Sequence, residues 1–104
     1  MMQGDLLETV KRVVREIEPS ADIILYGSQS RGDSRAESDW DFLILVDGPA
    51  DEARTDNVRH RLYDVEWETG EVISSIVRSR KEWNSPPITS TPFYENVSRE
   101  GTRL

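Results

Sequence analysis

Residues 25–46 read LYGSQSRGDSRAESDWDFLILV, and the fold turns on how they are divided. Leu25 and Tyr26 close one apolar run. Gly27 to Ser38 is polar, with two glycines, four serines and charges of both signs. Asp39 to Val46 then alternates as a strand does. Trp40, Phe42, Ile44 and Val46 share one face, and Asp39, Asp41, Leu43 and Leu45 share the other. Apolar residues on both faces imply a strand covered on both sides. Asp39 and Asp41 stand where that cover gives way.

Upstream, Leu6, Leu7, Val10, Val13, Val14 and Ile17 recur at steps of three and four, which predicts an amphipathic helix over about 3–18. Pro19 and Ser20 stop it. Ala21 to Tyr26 reads as the first strand. Downstream, Asp47-Gly48-Pro49 is a turn. Helical spacing runs from Ala50 to Thr69, with Val58, Leu62 and Val65 on its apolar side and Gly70 as its C-cap. Val72 to Val77 reads as a third strand, and Arg78 to Trp83 as a short helical turn. Thr91 caps a last helix with Pro92 in its first turn, running to about Glu100. The order predicts one domain over residues 1–104, an α/β (α+β) arrangement of a small sheet flanked by helices.

Composition narrows the function. The net charge is −7 with only two lysines, Lys11 and Lys81, which disfavours nucleic-acid binding through phosphate neutralisation. With no cysteine, disulfides and thiolate chemistry are excluded. No apolar run reaches the roughly 18–20 residues that span a membrane, and no signal segment is present. The expectation is a soluble cytoplasmic protein. At 36% hydrophobic residues the core is lean, so a partner or self-association is expected to cover some apolar surface.

The chemistry centres on Asp39 and Asp41. Two carboxylates on one strand face repel unless a proton or cation lies between them. Oxygen-rich sites of this kind suit Mg²⁺, completed by water and substrate phosphates. Gly27 lets backbone approach a ligand. Ser28 offers a hydroxyl and an N–H where a helix could begin, and Arg31 and Arg35 offer charge. The bland alternative is a turn whose serines cap a helix. No lysine follows Gly32, so this is not a Walker loop, and the third glycine of a dinucleotide fingerprint is missing. The lone His60, among charges on a helix, reads as structural or solvated. Trp40 reads as core, while Trp67, Trp83, Phe93 and Tyr94 read as core or interface.

Gly27-Ser28-x-x-Arg31-Gly32, followed by Ser38-Asp39-x-Asp41 and an apolar strand, resembles the signature of the DNA polymerase β-type nucleotidyltransferase superfamily. The ten-residue interval between Ser28 and Asp39 is part of the match. In size the chain resembles the minimal (MNT-type) nucleotidyltransferases. The resemblance implies a small mixed sheet of the nucleotidyltransferase fold and a triphosphate held by Gly27, Ser28 and Arg31. It implies two Mg²⁺ ions on Asp39 and Asp41, and transfer of a nucleoside monophosphate, AMP from ATP, to a protein or small-molecule acceptor. It also implies a helical HEPN-domain partner, in some pairs as toxin to this chain's antitoxin. Active relatives use a third carboxylate. Here Glu71 at the edge of the third strand is the placeable candidate, and Ser74 is the alternative occupant of that position. With Ser74 there, the chain reads instead as a protein-binding antitoxin or a nucleotide-sensing module. The wall that grips base or acceptor in larger relatives is expected from a partner chain.

Overall fold

The computed structural model describes residues 3–27 and 39–104. Helix α1 (Gln3–Ile17) is followed by β1 (Asp22–Tyr26), β2 (Trp40–Val46), α2 (Glu52–Thr69) and β3 (Ile73–Ser79). A short α3 (Arg80–Trp83), a 3-10 turn (Ile88–Ser90), α4 (Pro92–Glu100) and a two-residue β4 (Thr102–Arg103) complete the order. The four strands form one mixed sheet in the order β3-β2-β1-β4. β2 runs antiparallel to β1 and parallel to β3, and β4 pairs antiparallel with β1. The parallel pair needs a long crossover, and α2 supplies it.

β2 is central because its sequence tolerates burial on both faces. Phe42 to Val46 are all buried. On one face Trp40, Phe42, Ile44 and Val46 meet Ile23, Leu25 and Val77 under α1 and α2. The apolar stripe of α1 (Leu6, Val10, Val13, Val14) and that of α2 (Val58, Leu62, Val65) close this layer. On the other face Leu43 and Leu45 pack with Trp83 and Val97, joined by Ile24, Tyr26, Ile76 and Tyr94. The alternation and both helical stripes therefore behave as their spacing predicts.

Capping fixes the helix ends. Asp51 accepts from the Arg54 N–H at 2.9 Å, so α2 begins at Glu52 rather than Ala50. Gly70, at φ 74°, closes α2 by donating its N–H to the Glu66 carbonyl. Thr91 accepts from the Tyr94 N–H, with Pro92 in the first turn of α4. Arg54 also donates from two nitrogens to Glu18, at 2.8 and 2.7 Å, tying α2 to the chain beyond α1.

β1, β2 and β3 each start one residue later than expected, and two later boundaries shift further. β3 runs to Ser79, two residues beyond the expected Val77, because its ladder follows β2 until Ser79 meets Val46. Ser79 then caps α3, so the helical turn starts at Arg80, not Arg78. β4 was not expected, since two residues carry no periodic signal.

Phe42 is fully buried at the centre of the larger core layer. Phe42→Ala is expected to cost about 3–5 kcal/mol, read as a lower urea midpoint at an unchanged m-value.

Candidate functional site

Strand register builds the site. Tyr26 of β1 lies opposite Asp41 of β2, and Asp41 opposite Ser74 of β3. Residues directly opposite point to the same face, so Tyr26, Asp41 and Ser74 form a row across three strands. Asp39 is exposed just before β2, two positions from Asp41 and on the same side. Asp41 is half-buried.

Gly27 follows β1 with φ +77°, a left-handed conformation that side chains rarely adopt. A Cβ there would lie 2.6 Å from Asp41 Oδ2. The left-handed backbone favours glycine here, and any side chain would also displace the Asp41 carboxylate. Ser28 and Arg31, the other residues assigned to the triphosphate, lie outside the described residues, as do Gly32, Arg35 and Ser38.

Burial pushes the Asp41 carboxyl above the ordinary aspartate range, and the negative charge of Asp39 pushes it further the same way. The Tyr26 phenol is raised first by burial and then by the charge on Asp41. Among the described residues no cation is paired with either aspartate. This donor set fits a hard divalent cation. Asp39 and Asp41, facing one way, would supply two carboxylate ligands to such an ion, a set that suits Mg²⁺.

Glu71 is not brought to the pair. Its Oε2 accepts from Trp40 Nε1 at 3.1 Å. The Trp40 ring belongs to the layer under α1 and α2, so Glu71 is held on the other side of the sheet from Asp41. The physical reason is that a buried indole N–H takes an available acceptor. Ser74, exposed and in register with Asp41, takes the neighbouring position. No group of three or more acidic or histidine side chains suited to a metal occurs among the described residues. His60 is exposed on α2, away from this row.

α4 borders the site row on the Tyr26 side. The Phe93 ring meets Tyr26 edge-on at 5.4 Å and Trp83 at 5.6 Å. A hollow of about 190 Å³ beside Gly27 is lined by Tyr26, Gly27, Phe93, Asn96, Val97 and Glu100. The sequence reading assigned no site role to Tyr26 or Phe93. Strand alternation does carry a signal for Tyr26, which has the parity of the site face. Phe93 depends on how α4 docks.

The sequence matches the family model described as a nucleotidyltransferase domain over residues 7–96. No curated protein sequence matches the chain. A solved structure described as "Crystal structure of the toxin-antitoxin with AMP-PNP" is similar in fold, at a TM-score of 0.65 and 15% identity. The likeness covers 92% of this chain and 69% of that one.

Two outcomes test the local physics. Gly27→Ala is expected to cost about 1–3 kcal/mol from the left-handed backbone, with the clash on Asp41 adding to it, read by urea unfolding. Asp41→Asn is expected to stabilise the protein in chelator. A carboxyl with a raised folded pKa loses stability as pH rises through its range, because the unfolded chain releases its proton first. The gain in melting temperature should therefore be absent in strong acid and appear as pH rises towards neutral. Added Mg²⁺ should raise the melting temperature of wild type and not that of Asp41→Asn.

Proposed function

The chain belongs to the nucleotidyltransferase domain family, and we propose that it binds a magnesium nucleoside triphosphate, ATP in the first instance. It transfers the nucleoside monophosphate to a hydroxyl on a protein or small-molecule acceptor. The observation that carries this reading is the half-buried Asp41 beside Asp39, with burial and like charge both opposing its ionisation and Gly27 packed against its carboxylate.

Asp39 and Asp41 would hold the cations, and Gly27, Ser28 and Arg31 would receive the β- and γ-phosphates. Bound Mg²⁺ supplies the positive charge that lets an acidic chain accept a triphosphate and that stabilises departing pyrophosphate. In the transfer, the acceptor oxygen forms a bond to the α-phosphorus as the bond to the bridging oxygen breaks. Pyrophosphate leaves, and the hydroxyl proton passes to water. The protein's part is to align attacking and leaving oxygens and to exclude competing geometries. Phe93 and Tyr26 bound the site on the α4 side. The fold neighbour's description as a toxin-antitoxin with AMP-PNP supports a protein partner and a bound nucleotide; in our reading that partner is a HEPN-type helical toxin, this chain is its antitoxin, and the partner carries the acceptor. No helix among the described residues is long and apolar enough to cross a membrane.

A second reading is nucleotide binding, or neutralisation by binding, without transfer. Ser74 beside Asp41, in place of a carboxylate, favours it. With ATP labelled at the α-phosphate, Mg²⁺ and a co-expressed partner, the first reading expects label on the partner and pyrophosphate in solution. Asp39→Asn with Asp41→Asn should lower transfer at least about a hundredfold. Transfer that survives the double substitution would remove this site. Calorimetric binding of ATP with no pyrophosphate released would establish the second reading.

A further inference from the structure

The largest exposed aromatic surface lies on α2, outside the site described above. Trp67 is 74% exposed and Tyr63 54% exposed, one helical turn apart. Their rings meet edge-on, with centroids 6.2 Å apart at 84°. They line an open hollow of about 440 Å³ with Glu66 and Gly70. Tyr63 and Glu66 also line an adjoining hollow of about 360 Å³, which runs past Arg59 to Ile73 and Ser74. Val72, 52% exposed, stands immediately before β3.

Charge distinguishes the possible occupants. Residues 63–71 hold Asp64, Glu66, Glu68 and Glu71 and no lysine or arginine. Glu66 and Glu71 accept from the Ile73 N–H and the Trp40 indole. Asp64 and Glu68, on either side of Trp67 in sequence, have no ion-pair partner among the described residues. A second copy docked here across a two-fold axis would set these acids against themselves. A nucleic-acid backbone would be repelled. A cationic side chain is favoured twice over, by the ring faces and by Glu66, the carboxylate that lines the hollow with them, within an acidic stretch of the helix.

We propose that the Tyr63–Trp67 platform docks a basic segment of a protein partner, with an arginine or lysine side chain laid on the rings in the hollow they share with Glu66. The groove then leads the segment past Arg59, where it presents a neutral or acidic residue, along β3 to Ser74, the register neighbour of Asp41. That last step, by which the docked segment presents the acceptor, rests on the transfer reading above; the docking itself does not.

The test uses the full chain and a fluorescent peptide alternating arginine and leucine. Its twin carries citrulline, the neutral isostere, at every arginine. Anisotropy should show the arginine peptide binding wild type, more weakly as salt is raised. Trp67→Ala and the citrulline twin should each weaken binding about tenfold or more. An unchanged melting temperature for Trp67→Ala would confirm that folding is not what was lost. Asp39→Asn with Asp41→Asn should bind the peptide as wild type does. Absence of binding, or equal binding to Trp67→Ala, would overturn the proposal. A dimer in sedimentation that Trp67→Ala dissolves would also overturn it, assigning the platform to a second copy. Loss of nucleotide transfer with peptide binding intact would count against the transfer reading alone.

Discussion

Burial of β2 on both faces is the constraint on which the arrangement rests, because it holds Asp41 half-buried and on the same side as Asp39. In water the two carboxylates would separate or be screened. Here β2 cannot yield, because its next five residues are buried on both faces and fixed by ladders to β1 and β3. Strand alternation then holds Asp41 on the same side as Asp39. β1 brings Gly27 against the Asp41 carboxylate, which leaves no room for a side chain. The rigid part of the fold thus maintains an unfavourable electrostatic arrangement at its mouth. Local unfavourable energy of this kind clusters at functional sites in proteins, which accords with the cation site proposed above.

The two faces of the sheet carry different loads. The face under α1 and α2 holds the larger core layer, with Phe42, Ile44 and Ile23 fully buried. Ion pairs reinforce it at the periphery, where Arg61 reaches Glu16 at 2.7 Å and Arg54 reaches Glu18. The opposite face has a thinner cover, built from α3, α4 and the aromatic row Tyr26, Phe93, Trp83 and Tyr94. Polar residues can reach the surface of the sheet only where that cover stops, and the aspartates lie at that limit.

Much of this was legible in the chain. The stripe of α1, the two-faced pattern of β2, the stripe of α2 and the caps at Gly70 and Thr91 all express local rules. The nucleotidyltransferase fold was implied by the resemblance of Gly27-Ser28-x-x-Arg31-Gly32 and Ser38-Asp39-x-Asp41 to that family's signature, and the family model matches. What was not legible depends on partners distant in sequence. β3 overruns its apolar stretch because Val46 of β2 is there to pair with Ser79. β4 exists only because β1 offers Ile24 and Leu25 an edge to share. Glu71 has the right charge at the right place in the sequence. Its direction is set by the Trp40 indole, which no local pattern reveals. Phe93 joins the site because α4 docks on Tyr26, a matter of packing rather than periodicity.

The separation of the two faces has an evolutionary consequence. Ser74 belongs to the thin face and is exposed, so its identity is nearly independent of the packing that keeps the chain folded. A carboxylate at position 74 would therefore cost little in packing, but it would place like charge directly opposite Asp41. On the proposed function, the substitution that turns a nucleotide holder into a transferase is one whose cost a bound cation removes.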